Sequence, residues 1–246
     1  MHSANRGSVR PASVYRDTVR TYRTFAPRLL LIGAIVFVPL GLLEAIVGGH
    51  DTIEGAGDDG FTIAAIVVLV LLQVVLGLLG EVFYSGAVAL LIALTPAGRW
   101  LGWVAGRLSF GSLIAVDLVY NLGVGIGFLL LVVPGVLVFT WFALAAPLIE
   151  LEGRGARAAL ARSRELVRGR FWAVLTVLGP LTLAAESLDE VVVGLGQHLL
   201  GDALVAEWLS TSVASVLLSP LYAIPAVLIT LRLTGGAEAA AAAARN

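Results

Sequence analysis

The sequence predicts an all-α, polytopic membrane protein with six transmembrane helices in three hairpins, each preceded by a basic amphipathic helix at the membrane interface. Three observations support this fold class. Of the 246 residues, 59% are hydrophobic and 13% are charged, whereas soluble domains average about 45–50% apolar and about 25% charged residues. Apolar runs long enough to cross the hydrocarbon core recur along the chain, and arginine occurs only in alternate segments between them. The chain has more hydrophobic residues than one buried core can hold, which predicts that lipid surrounds much of its surface.

The predicted spans are residues 29–49, 61–95, 109–132, 136–149, 171–187 and 207–231. The basic stretch before the first span is too long for a signal peptide, so we expect an uncleaved span. The second run is interrupted only by Gln73 and Glu81. It is too short for two full spans and a turn, which favours one long, tilted or bent helix. Two re-entrant halves are the alternative.

The third and fourth spans form a hairpin around the segment VVPGV. Pro134 is expected to stop the first helix, and Gly135 to accept unusual backbone angles in the turn. The fifth span contains Pro180, and the sixth contains Pro220 and Pro225.

The charges fix the predicted orientation in the membrane. Arginines precede the first span, separate spans two and three, separate spans four and five, and follow span six, whereas the remaining loops are acidic. Cytoplasmic loops of membrane proteins carry the basic residues, so both termini are expected in the cytoplasm of a bacterium with the protein in its plasma membrane. The chain contains no cysteine and no lysine, which excludes thiolate metal sites, iron–sulfur clusters and Schiff-base chemistry.

A basic segment with helical spacing precedes each hairpin. In the third segment, four arginines are expected to face lipid phosphates at the membrane surface: Arg157, Arg164, Arg168 and Arg170. The predicted organisation is a basic cytoplasmic segment with an interfacial helix (1–28), a six-span domain (29–233) and a low-complexity cytoplasmic tail (234–246). This explanation of the arginine run needs no nucleic acid, whose binding would require a recognisable basic soluble domain.

One stretch resembles a known family. It combines the turn at Pro134 and Gly135, a span ending in PLIELEG, and the segment SRELVRGRFW. These features are similar to the membrane domain at the N-terminus of some bacterial glycerophosphoryl diester phosphodiesterases, and to related stand-alone bacterial integral membrane proteins. The catalytic domain of those enzymes needs histidines and metal-binding carboxylates on a soluble barrel. The sequence has no counterpart of that barrel, so the resemblance implies a membrane module without phosphodiesterase activity.

Four polar residues inside the predicted spans are candidates for a functional site, because ionisable groups are costly within a bilayer. Glu81 lies near the middle of the second span, two turns after Gln73, and Asp117 and Asn121 are one helical turn apart. Facing one another, these residues could hold a cation, a proton or a lipid headgroup. The alternative is that their hydrogen bonds only fix helix packing.

Two further patterns in the sequence are weaker. His198 with Asp202, together with His50, could bind a metal if the outer loops met, although solvated loop histidines are the commoner arrangement. We therefore predict no metal and no cofactor. The second pattern is the G-x-x-x-G formed by Gly123 and Gly127, which permits close helix approach.

The sequence favours a non-enzymatic membrane protein that binds or organises lipids or a protein partner. The alternative is a small transporter or flippase-like protein that uses Glu81 and Asp117. A third possibility is an accessory subunit of a separately encoded enzyme. A membrane-embedded hydrolase is disfavoured, because no nucleophile–base pair or metal motif is visible.

Overall fold

In the computed structural model, the described residues are 10–48, 64, 68, 80–93, 100–201 and 204–236, and 93% of them are helical, with no strand among them. The helices are α1 (Pro11–Gly48), α2 (Gly80–Ala93), α3 (Trp100–Arg107), α4 (Phe110–Leu130), α5 (Val132–Phe142), α6 (Ala145–Glu152), α7 (Ala156–Arg168), α8 (Phe171–Leu200) and α9 (Leu204–Thr234). The prediction of an all-α protein is confirmed for this part of the chain.

Five helical stretches in the described residues are long and apolar enough to cross a membrane: Pro11–Leu43, Phe110–Leu130, Val132–Glu152, Phe171–Leu200 and Leu204–Thr234. The third of these stretches combines α5 and α6. Helix α2 is apolar but shorter, and most of the predicted second span (61–95), including Gln73, lies outside the described residues. These lengths and compositions are those of a polytopic membrane protein.

Helices α1 and α9 pack antiparallel along most of their lengths. At one end of the pair, the Arg232 guanidinium donates hydrogen bonds to Ser13 Oγ (2.8 Å) and to the carboxylate of Asp17. At the other end, Trp208 Nε1 donates to the Val38 carbonyl oxygen at 2.9 Å. Helix α8 packs on both helices, so α9 lies between its two long neighbours and is the most buried of the spans.

Helix α1 differs from the sequence prediction, which separated an interfacial helix in residues 1–28 from a first span beginning at residue 29. The structure has one continuous helix from Pro11, with Pro27 and Pro39 inside it. Pro11 suits the first helical position because its missing N–H needs no partner there.

The turn between the third and fourth spans was predicted at the wrong residues. The chain leaves the helical conformation at Leu131 alone, which is extended at φ −167° and ψ 150°, and Pro134 and Gly135 are already helical. A proline in the first turn of a helix interrupts no hydrogen bond, because N–H groups there have no intrahelical acceptor. Proline therefore marks the beginning of α5 here, not the end of α4.

The fifth span was also predicted too short. Helix α8 continues past residue 187 to Leu200, so the acidic residues expected in an outer loop (Glu186, Asp189 and Glu190) are helical. The chain leaves the helix at Gly201, whose positive φ of 82° suits glycine. Glu207, placed in the same loop, belongs to α9.

Helix α7 is fixed against a break in the neighbouring span. Ser163 is fully buried, and its hydroxyl donates to the Trp141 carbonyl (2.7 Å) and accepts from the Leu144 amide (3.3 Å). These two backbone groups flank the interruption between α5 and α6, where intrahelical partners are missing. The Arg164 guanidinium lies 4.8 Å from the centre of the Trp141 ring. One side of α7 is thus attached to the bundle.

Candidate functional site

A partly open cavity of about 370 Å³ lies between α2, α4, α5, α6, α8 and α9. Its wall combines apolar and aromatic side chains with carboxyl, carboxamide and hydroxyl groups. The polar lining residues are Glu81, Tyr84, Ser85, Asp117, Tyr120, Asn121, Thr182, Glu186, Ser219 and Tyr222. Three of the four predicted polar candidates therefore meet at one cavity, and the fourth, Gln73, lies outside the described residues.

Asp117 and Asn121 form a pair on α4. Asn121 Nδ2 donates to Asp117 Oδ1 at 2.7 Å and to the Asp117 carbonyl oxygen at 3.0 Å. Asp117 is 7% exposed, so most of its side chain is covered by protein. The one-turn spacing brings the two side chains together, and this hydrogen bond orients the carboxylate beside the cavity.

Glu81 lines the cavity from α2. Its neighbours Val82 and Tyr84 are buried in the bundle, and the Tyr84 hydroxyl donates to the Leu29 carbonyl at 3.4 Å, which attaches α2 to α1. Glu81 lies within electrostatic range of the phenol groups of Tyr120 and Tyr222 on the facing helices. Packing of the apolar side of α2 thus presents a carboxyl group to the shared space.

Glu186 and Tyr222 were missed by the sequence prediction. The Tyr222 hydroxyl on α9 donates to Glu186 Oε1 on α8 at 3.3 Å, and both residues line the cavity. The available signal was the helical spacing of the apolar residues Leu188, Val191 and Leu195 beyond Glu186. That spacing predicts that α8 continues past Glu186, which places this residue on a helix beside α9 and not in a loop.

The charges of the cavity have one sign. Its lining includes three carboxyl groups, from Glu81, Asp117 and Glu186, and no arginine or histidine among the described residues. Asp117 is largely covered by protein, whereas Glu81 and Glu186 are exposed. Three carboxylates without a cationic side chain in the described lining attract positive charge. The cavity is chemically suited to a cation.

The metal-site hypothesis gains no set of ligands. His198 is exposed near the end of α8, whereas His50 and Asp202 lie outside the described residues. The described part of the chain contains no group of three or more histidine, cysteine, aspartate or glutamate residues that could hold a metal ion.

The predicted surface arginines Arg157, Arg164, Arg168 and Arg170 are all exposed. In α7, Ala159, Ser163, Leu166 and Val167 are buried instead. Arg162, on the same helix, is half-buried and makes ion pairs with Glu165 (2.8 Å) and Glu152 (3.8 Å). The exposed arginines and the ion-paired arginine therefore occupy different surroundings.

The segment that resembles the phosphodiesterase membrane domain includes α5, α6, α7 and the first residues of α8. It contributes Phe139, Phe142, Ala143 and Ala146 to the cavity wall. No protein-family model matches the chain, and no solved structure matches it significantly, so this resemblance stays a prediction.

Proposed function

We propose that the chain crosses a bacterial plasma membrane six times, in three hairpins, with both termini in the cytoplasm. Contacts between the arginine-bearing ends of the helices support this topology. Arg232 at the end of α9 binds Asp17 near the start of α1, and the Tyr15 hydroxyl donates to the Thr176 carbonyl near the start of α8 at 2.5 Å. The Arg28 guanidinium lies 5.5 Å from the Trp100 ring centre of α3. These contacts bring the start of α1, the start of α8 and the end of α9 together, and each of these segments carries arginines, which supports a cytoplasmic location for this end of the bundle.

We propose that the protein moves a small cation across this membrane through the cavity between its helices. The observation that carries the proposal is the meeting of Glu81, Asp117 and Glu186, from three separate helices, at one cavity. Hydrogen bonds that only hold the helices together do not require three carboxyl groups around an open volume. Charged groups within spans are costly, and they commonly mark a substrate or ion pathway. The proposed activity breaks no covalent bond.

The depths of the carboxyl groups support movement along the membrane normal. Asp117 lies about two turns into α4, about 10 Å from its start, and Glu186 lies about four turns into α8, about 22 Å from its start. Both helices begin next to arginines, at Arg107 and Arg170. A cation that enters from the arginine-bearing end can thus pass from one carboxylate to another at a different depth.

The test is saturable cation uptake into proteoliposomes that contain the purified protein. The panel comprises Na⁺, K⁺, Ca²⁺, methylammonium and tetraethylammonium, and protein-free liposomes give the background. We expect at least one of these cations to enter faster than background and to saturate with concentration. Uptake equal to that of protein-free liposomes for every cation in the panel would overturn the proposal.

Glu186→Gln is expected to weaken the uptake of the transported cation by about tenfold, measured as the concentration at half-maximal rate. The substitution removes a charge but keeps the shape of the side chain, and one lost charge-assisted contact costs about 1.4 kcal/mol or more. Glu190→Gln is the matched control, because Glu190 is exposed one turn further along α8 and does not line the cavity. Equal effects of the two substitutions would contradict a role for the cavity carboxylates.

A second role, the binding of anionic lipid by α7 and by Arg170 just after it, is favoured by the exposed arginines of this surface. Each arginine near an anionic membrane surface contributes about 1 kcal/mol of attraction. We expect phosphatidylglycerol to raise the unfolding temperature of the detergent-solubilised protein more than phosphatidylcholine does. A variant with four arginine-to-glutamine substitutions should lose this difference: Arg157, Arg164, Arg168 and Arg170.

The control for the lipid experiment is the double substitution of Arg154 and Arg162 by glutamine, because both side chains already make ion pairs with Glu152. It should keep the preference for phosphatidylglycerol, even if its unfolding temperature is lower in both lipids. A fourfold variant that retains the full lipid difference would exclude α7 and Arg170 as the lipid-binding surface.

A further inference from the structure

We propose that the cation bound in the cavity is an organic ammonium ion that carries alkyl groups, and not an inorganic ion. This inference rests on the proposed cation transport and specifies its substrate class. Three properties of the site support it: the volume of the cavity, the distribution of its carboxyl groups over three helices, and the aromatic and apolar side chains of its wall.

The volume exceeds what an inorganic ion needs. One water molecule occupies about 30 Å³ of the liquid, so 370 Å³ would have room for about a dozen waters. Sites for small organic molecules occupy about 300–1,000 Å³. A bare Na⁺ or K⁺ would leave most of the cavity to water, whereas an organic cation with several carbon atoms would displace a larger share of that water.

The carboxyl groups are distributed around the cavity on three helices. Asp117 is oriented by Asn121 on α4, and Glu186 accepts a hydrogen bond from Tyr222 between α8 and α9. A Ca²⁺ site would instead gather six to eight oxygen atoms at about 2.3–2.6 Å from one point. The described residues hold no such metal-binding group. Separated carboxylates suit the diffuse charge of an alkylammonium ion better than the concentrated charge of a metal ion.

Aromatic rings and aliphatic side chains supply the remaining wall. Tyr120 and Phe139 lie with their ring centres 6.5 Å apart, and Tyr222 and Phe142 also line the cavity. An ammonium group binds the face of an aromatic ring through the negative charge density of that face. Val124 and Leu178 add aliphatic surface, which favours burial of alkyl groups and offers nothing to a hydrated inorganic ion. The site thus combines a charge partner with a surface for carbon atoms.

The test is calorimetric titration of the purified full chain in detergent with methyl-, ethyl-, propyl- and butylammonium, tetraethylammonium, Na⁺, K⁺ and Ca²⁺. We expect affinity to increase about threefold for each added methylene group, since binding removes its apolar surface from water. Tetraethylammonium should bind, and each inorganic ion should bind at least about tenfold more weakly than butylammonium.

Two substitutions at Tyr222 separate its ring from its hydroxyl group. Tyr222→Phe should keep most of the butylammonium affinity, whereas Tyr222→Leu should lose about tenfold because the aromatic face is gone. Equal losses in the two variants would show that the ring does not contact the cation, which overturns this assignment. Both variants must elute from a sizing column as the wild-type protein does, and circular dichroism must show the same helix content.

The results distinguish the substrate class from the underlying function. If the inorganic ions bind as tightly as butylammonium and chain length has no effect, the organic class is wrong and cation transport stands. If no cation in the series binds and none enters proteoliposomes, the transport proposal itself fails. If butylammonium binds equally to a variant with Glu81→Gln, Asp117→Asn and Glu186→Gln, the ion binds outside the cavity and the proposal is overturned.

Discussion

Replacement of Glu81 by glutamine together with Asp117 by asparagine should abolish saturable cation uptake into proteoliposomes. Both side chains keep their size, but two of the three negative charges at the cavity are lost. Each lost charge-assisted contact costs about 1.5–3 kcal/mol, so we expect the double variant to lose more than about a hundredfold in affinity. The measurement is the uptake rate of the transported cation as a function of its concentration.

The double variant should still fold, because a neutral carboxamide is cheaper to bury than a charged carboxylate. Its elution volume and its unfolding temperature in detergent are therefore expected to match or exceed those of the wild type. The matched control carries Glu190→Gln and Asp189→Asn, which change the same residue types on α8 outside the cavity lining. Uptake by the double variant at the wild-type rate would show that these carboxyl groups fix packing alone.

The Asp117–Asn121 pair was predictable from the sequence because a helix places residues four apart on the same face. Glu81 was predictable for a different reason. A carboxylate in the middle of a long apolar run is costly to expose to lipid, so it is expected to face the interior of the bundle or a cavity. Neither argument identifies the neighbouring helix. The meeting of Glu81 with Asp117 depends on the packing of α2 and α4 around one cavity, which no local pattern encodes.

Glu186 shows why another part of the site was missed. Three acidic residues within five positions favour a solvated loop when hydropathy alone is considered. In the structure, helical spacing of the adjacent apolar residues continues α8, and Glu186 finds Tyr222 across the helix interface. Leu131 is a similar case, because its extended conformation is not encoded by its residue type. Tertiary packing decided both positions.

Gly127→Ala should lower the stability of the protein by about 2 kcal/mol. A Cβ atom added at Gly127 would lie 2.8 Å from both Cα and N of Gly135 on the facing helix, and backbone atoms cannot rotate away as a side chain can. Gly123, one turn earlier, also faces α5, where an added Cβ would lie 3.0 Å from Val138 Cγ1. Overpacking of a close contact costs about 1–3 kcal/mol, measured here as a lower unfolding temperature in detergent.

Gly125→Ala provides the matched control, because a Cβ atom at Gly125 meets nothing within 4 Å. Alanine is favoured over glycine in a helix interior by about 0.5–1 kcal/mol, so this control should be neutral or more stable, and the two variants should differ in sign. Equal unfolding temperatures would contradict the close approach of α4 and α5. Tyr120 and Phe139 form part of the cavity wall, two turns from Gly127 and one turn from Gly135 on the same helix pair. Separation of the helices by Gly127→Ala should therefore also weaken cation binding, while Gly125→Ala should leave binding unchanged.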